Sequence, residues 1–302
     1  MKEERLRIIN EGYKVMSKSN LAICSIVRDC EKSLLKNIPI IEELRTKFKN
    51  SQVIIFENDS IDNTKSILKK WSEESINTIV KCDNFNKKTI PINDLNGVNK
   101  YFSEPRISKM SSYRNQYLKL LNSLKFDYDY LIVIDLDIEK IFKDGIAHSF
   151  GLIDQWDVVT ANGYSYSPSL KKRYHDTYAL VEIGKENQSQ DENSIIANQS
   201  KWSFLKENMP LIPVYSAFGG VAIYNYNTIN NKDYKVIQNK NDRVEVRCEH
   251  FSIHQQIQNE GYNRIFINPN MKVRYQSLNF SIIKKFLNEK LFKRKQDLNS
   301  LI

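Results

Sequence analysis

No stretch of this chain approaches the roughly 18 consecutive apolar residues that cross a bilayer. Its first residues, Met-Lys-Glu-Glu-Arg-Leu-Arg, also lack the apolar core of a secretion signal. A membrane-spanning helix is therefore excluded, and a cytoplasmic location is expected. Cysteine is scarce. Cys24, Cys30, Cys82 and Cys248 have no close paired spacing, which argues against a disulfide scaffold or a thiolate zinc knuckle and predicts reduced thiols that mostly pack. The sequence has neither an internal repeat nor a clear linker, so a single domain over residues 1–302 is expected, long enough to bury a large core. Acidic residues are outnumbered, 36 against 45 basic ones, leaving a net charge of +9. That balance favours anionic partners such as nucleotide-sugars, acidic glycans, anionic lipid or nucleic acid. Because the basic residues are dispersed except near the C-terminus, nucleic acid is not expected.

Residues 129–138 carry the most information. They read Asp-Tyr-Leu-Ile-Val-Ile-Asp-Leu-Asp-Ile, an apolar run ending in Asp135 and Asp137. Such a run suits a strand buried on both faces of a parallel sheet, and its C-terminal end is where open α/β sheets bind ligands. Two carboxylates one residue apart repel each other unless a cation lies between them. Oxygen-only ligands suit a hard ion, Mn²⁺ or Mg²⁺, shared with a diphosphate. A bland alternative is that the pair caps the strand and solvates a turn.

The flanking pattern supports the strand. Residues 21–27, 53–56 and 78–82 read as buried strands separated by helical stretches with apolar spacing, which implies parallel pairing and a doubly wound sheet. Residues 84–103 are polar and turn-rich. Residues 106–125 form an amphipathic helix with Met110, Tyr113, Tyr117, Leu121 and Leu124 on one stripe, and Arg106 and Arg114 fall in or beside it. Inward arginines call for an anion, unless their stems merely cover apolar surface. Further on, residues 185–200 read as a polar loop, Phe218-Gly219-Gly220 as a glycine pair entering a strand, and residues 249–275 as a helical patch followed by a strand.

Three segments, in order and spacing, resemble the GT-A glycosyltransferases. Glu57-Asn58-Asp59-Ser60-Ile61-Asp62-Asn63-Thr64 is similar to the Asp-Asp-Gly-Ser-x-Asp-x-Thr signature after the second strand of that superfamily. Ser112-Tyr113-Arg114-Asn115 resembles its Ala-x-x-Arg-Asn segment, and Asp135-Leu136-Asp137 its Asp-x-Asp motif. The resemblance implies a Rossmann-like, mainly parallel α/β sheet with flanking helices. Residues 20–138 would then bind a nucleotide-sugar and residues 139–275 would be an acceptor-side elaboration. It also implies donor contacts from Arg28, Glu57, Asp59, Arg106, Arg114, Asp135, Gly219 and Gly220. Cys248-Glu249-His250 stands where the large inverting family has Glu-Asp, so His250 replaces that family's catalytic base. The Glu-Asn-Asp-Ser and Cys-Glu-His variants look more like the capsule α-1,3-mannosyltransferase family, which implies retention of configuration. The superfamily's late histidine metal ligand is missing, and Tyr275 falls near its place.

The expected activity is metal-dependent transfer of a sugar from a nucleotide-sugar to a glycan, lipid-linked or protein acceptor, in surface polysaccharide or glycoconjugate synthesis. Glu249, His250 and His254 leave three readings open: Glu249 or His250 as acceptor base, one histidine (His254) as third metal ligand, or ordinary polar residues of a helix. Residues 280–295 pair apolar and basic positions, as in a helix lying on an anionic membrane or one packed on the domain with a solvated basic face. Two rival functions remain: a sugar-nucleotide nucleotidyltransferase, and a non-catalytic carbohydrate- or nucleic-acid-binding protein. Binding alone gives no reason for a carboxylate pair at the end of a buried strand.

Overall fold

A computed structural model describes residues 2–92, 96–124, 126–167 and 170–276, with isolated positions 284, 287 and 288. Apart from those three positions, the basic segment 280–295 lies outside the described residues.

The chain opens with helix α1 (Lys2–Met16). Alternating units follow: β1 (Asn20–Val27), α2 (Glu31–Arg45), β2 (Asn50–Asn58), α3 (Thr64–Glu74), β3 (Thr78–Asp83), α4 (Glu104–Ser123) and β4 (Tyr130–Ile134). β1 pairs in parallel with β2 and β4, and β2 with β3. This half is the doubly wound sheet that the apolar runs predict. Along β1, Leu21 and Ile23 enter one apolar core and Ala22 and Cys24 the other; β4 divides its residues in the same way. Burial on both faces explains why these strands are continuously apolar instead of alternating.

The second half comprises β5 (Lys140–Ile141), α5 (Lys143–Phe150), β6 (Val158–Tyr166), β7 (Lys172–Tyr174), α6 (Glu192–Lys201), β8 (Ile212–Pro213), β9 (Val221–Asn225), α7 (Tyr226–Ile229), α8 (Glu249–Asn259) and β10 (Ile265–Arg274). The continuous order is β3-β2-β1-β4-β9-β6-β10-β5, with β7 beside β6 and β8 beside β10. β9 runs antiparallel between β4 and β6, so the sheet is mixed beyond β4.

One departure from the sequence reading has an identifiable cause. Residues 185–200 are not wholly a loop, because α6 begins within them: Asp191 accepts from the Ser194 N–H at 2.9 Å while Ser194 Oγ accepts from the Asp191 N–H at 3.3 Å. This reciprocal cap, with Ile195 buried, is sufficient to start a helix in a polar stretch. Helix α1 is held by a close crossing with α5. A Cβ on Gly12 would lie 1.7 Å from the Ala147 carbonyl oxygen, and one on Gly151 would lie 2.0 Å from that of Ile8. Among the described residues, no helix is long and apolar enough to cross a membrane.

Candidate active site

The carboxyl ends of β1, β2 and β4 lie side by side, and the chain leaving them lines a cavity of about 960 Å³. Arg28, Asn58, Asp135 and Asp137 come from those ends, Arg106, Tyr113 and Arg114 from α4, and Glu249 and His250 from the start of α8. The stretch from β7 to Tyr178 adds Arg173, His175 and Asp176, and the end of β10 adds Tyr275.

Arg114 organises the floor. Its side chain is 4% exposed; Nε donates to Glu249 Oε1 at 2.9 Å and Nη2 lies 3.7 Å from Asp135 Oδ1. The rings of Phe218 and Tyr234 stand 5.2 and 5.7 Å from the guanidinium carbon. Two carboxylates and two aromatic faces hold the cation where water is excluded. Nη1 has no partner among the described residues.

The four carboxylates differ in their electrostatics. Burial works against the charge on Glu249, but Arg114 and Arg106 outweigh it and hold the group below its usual range. Burial raises Asp135, and the neighbouring Asp137 raises it further against the pull of Arg114. Asp137 is exposed to solvent where it lines the cavity, and partial loss of its hydration there raises it too. Asp176 is raised by burial although it accepts the Gly219 N–H at 3.1 Å. Tyr275 donates to Asp135 Oδ2 at 3.2 Å and stacks on His175 with ring centroids 3.9 Å apart.

The Asp135–Asp137 pair fits a hard divalent cation. Its donors are all oxygen, and its raised pKa values mark a place where added positive charge would be stabilising. Among the described residues no group of three His, Cys, Asp or Glu side chains could hold a metal. The remaining coordination positions would therefore fall to substrate and water, as is common for Mg²⁺.

Several sequence-predicted residues stand elsewhere. His254 is fully buried, with Nδ1 3.0 Å from Ser216 Oγ and Nε2 3.2 Å from the Tyr224 hydroxyl. Burial pushes it down to about 3, and it does not line the cavity, so it is a satisfied core histidine and not a ligand beside the Asp pair. Glu57 is also fully buried; its Oε1 accepts the Ser60 N–H at 2.8 Å, which fixes the turn into α3. Asp59, with a φ of 52°, accepts the N–H groups of Phe85 and Asn86, each at 2.7 Å. Each carboxylate thus holds local backbone with one oxygen, while the other lies 4.0 Å from Lys65 Nζ in Glu57 and from Arg28 Nη1 in Asp59, and Asn58 between them lines the cavity. Gly219 and Gly220 have φ values of 67° and 88°. Their missing side chains admit other protein atoms: a Cβ would meet the Ala161 carbonyl oxygen at 2.1 Å from Gly219 and the Tyr275 hydroxyl at 2.8 Å from Gly220. They shape the wall without lining it.

His250 does line the cavity, stacked on Phe218 at 3.9 Å and 1% exposed. Neither ring nitrogen makes a hydrogen bond among the described residues, and Nε2 lies 3.9 Å from Glu249 Oε1. Burial, then Arg114, pushes its pKa well below the ordinary range, so the imidazole is neutral. Asp176, His175 and Arg173 escape a motif reading. Tyr275 is noticeable only as the residue standing near an expected histidine.

A sequence family described as Cryptococcal mannosyltransferase 1 matches residues 20–256. No curated protein matches the chain. Among solved structures, mannosyltransferase PcManGT from Pyrobaculum calidifontis, in complex with GDP-Man and Mn²⁺, has a TM-score of 0.47 at 10% identity, covering 89% of this chain and 64% of that one. S. aureus TarS 1-349 has a TM-score of 0.43 at 13% identity, covering 88% and 63%. M. tuberculosis glucosyl-3-phosphoglycerate synthase has a TM-score of 0.45 at 10% identity, covering 90% and 77%. The chain thus spans less than two thirds of the PcManGT and TarS chains.

Proposed function

The chain belongs to the Cryptococcal mannosyltransferase 1 family, and on that premise we propose that it is a GT-A glycosyltransferase moving a hexosyl group, mannose in the first instance, from a nucleotide-sugar to a glycan, lipid-linked or protein acceptor. The observation that carries this reading is the buried bridge of Arg114 between Glu249 and Asp135 at the floor of a cavity open to Asp137. A cleft of about 960 Å³ is ample for a nucleotide-sugar and part of an acceptor.

Asp135 and Asp137 would hold Mn²⁺ or Mg²⁺, which when bound supplies Lewis-acid stabilisation of charge on the departing diphosphate. Arg28 and Arg106 are on hand for the phosphate oxygens, since a guanidinium pairs with phosphate through two parallel hydrogen bonds. Arg28 is steadied by Lys87 O at 3.0 Å, and Arg106 by Tyr101 O at 2.8 Å. Asn58, in place of Glu57 or Asp59, is the polar group offered to the nucleoside.

In the reaction the bond from the sugar's anomeric carbon to the diphosphate oxygen breaks, and a bond to the acceptor oxygen forms. The acceptor's proton must leave. Neither α8 residue is a free base for it: Glu249 is tied to Arg114, and His250 is neutral with a depressed pKa. Delivery of the proton to the leaving diphosphate, with retention at carbon, fits these two environments better than a protein base does. His250, neither of whose nitrogens is hydrogen-bonded among the described residues, is then a hydrogen-bonding group for a sugar hydroxyl.

The test is release of nucleoside diphosphate from GDP-mannose and a panel of UDP- and GDP-sugars with Mn²⁺, without acceptor. Slow release, abolished by chelator and lowered at least about 100-fold in Asp137→Ala, is expected. Absence of both donor binding and release for every donor would sink the reading.

A further inference from the structure

We infer that Arg173 forms a second anion subsite in this cavity and that the acceptor carries there a phosphate or carboxylate borne by a sugar; this rests on the glycosyltransferase reading above. Arg173 lies on β7, which pairs with β6, and the path from β1 to β7 runs β1-β4-β9-β6-β7. At roughly 4.8 Å per strand that is about 19 Å measured along the sheet, with the Asp135–Asp137 end of β4 between them and Tyr275 reaching back from the end of β10 to Asp135. A diphosphate held at the Asp pair and Arg28 therefore leaves Arg173 on the acceptor's side.

Arg173 is half-buried in the cavity wall, and its orientation is set by neutral partners. Nε donates to Ser165 Oγ at 3.2 Å and Nη1 to Gln199 Oε1 at 3.0 Å. Among the described residues no carboxylate lies within 4.0 Å of it, and Nη2 makes no hydrogen bond. By contrast, Arg114 is paired with Glu249 and Arg28 with Asp29. A half-buried guanidinium held only by uncharged oxygens has its strongest interaction still to make, and its fork matches a phosphate or carboxylate. The wall from there to the reacting end is fixed: Ser165 also contacts His175 Nδ1 at 3.1 Å, and His175 stacks on Tyr275, which donates to Asp135. An anion at Arg173 would thus sit at a set distance from the carbon being transferred.

The experiment is calorimetric titration of the full chain saturated with GDP and Mn²⁺. The probes are mannose 1-phosphate, its citronellyl phosphodiester, methyl glucuronoside and uncharged methyl mannoside. At least one charged probe is expected to bind about tenfold or more tighter than methyl mannoside, to lose about tenfold in Arg173→Gln and to recover partly in Arg173→Lys. GDP–Mn²⁺ binding is expected to be the same in all three proteins. The probe that binds identifies the source of the anion: a free sugar phosphate, a lipid-borne phosphate or an acidic glycan. The inference is overturned if no charged probe outbinds methyl mannoside, if Arg173→Gln binds the charged probes as wild type does, or if that variant loses GDP. Failure of wild type to bind either GDP or UDP would overturn the glycosyltransferase reading together with this one. Failure of the charged probes alone would overturn only this one.

Discussion

At the scale of single residues, the site depends on Arg114 and the carboxylates around it. Removing one partner of a buried ion pair leaves the other uncompensated, so Arg114→Ala should lower stability by about 3–5 kcal/mol, read from the urea midpoint, and Arg114→Lys by less. Asp135 permits a test by pH. Its pKa is raised on folding from the ordinary 3.8 to about 8, so the native state binds the proton more tightly than the unfolded chain. Stability from this group is therefore present at low pH and is lost as pH rises from about 4 to 8. His250 and His254, held neutral, act in the opposite sense by destabilising the native state as pH falls below 6.5. Comparing melting temperatures with and without Mn²⁺ separates the two. The Mn²⁺ increment should be larger at pH 8 than at pH 5, and Asp135→Asn should flatten it; an increment independent of pH would mean that the Asp pair is not where the cation acts.

At the scale of elements, legibility followed burial. β1, β2 and β4 are readable because both faces are covered, which forces an uninterrupted apolar run. α1 is not readable, since only Ile9, Gly12 and Met16 are buried, and one of these three is a glycine, the residue a propensity argument counts against a helix. Glu57 and Asp59 mislead for a related reason: a motif gives residue type and spacing but not which carboxylate the backbone captures, and here Ser60, Phe85 and Asn86 capture both. The α1–α5 crossing leaves no space at Gly12. Gly12→Ala should cost about 1–3 kcal/mol by overpacking. Measured by urea unfolding, a neutral result would mean that α1 does not seat on α5 as described.

For the whole molecule, the two halves of the sheet are interlocked. β9, from the second half, pairs with β4 from the first, and Arg114 of α4 finds its carboxylate on α8. A chain ended after residue 138 should therefore show no cooperative urea transition, because β4 loses a neighbour and Arg114 loses Glu249. A sharp transition from that fragment would show that the first half is self-sufficient. The same interlocking explains why the site is only partly legible. Asp135 and Asp137 announce themselves locally, whereas Asp176 and Tyr275 join them only through the order β4-β9-β6-β10.

The seat of α1 on α5 also has a meaning in time. Tyr13 bonds Asp144, a residue 131 positions later in the chain. At about 5–20 residues per second, a ribosome needs on the order of ten seconds to make the partner that α1 requires. The strand that backs α5, β10, follows later still, as its last residues are Val273 and Arg274. During synthesis α1 emerges well before its seat exists, so nascent chains stalled short of β10 would leave it waiting for a seat not yet complete.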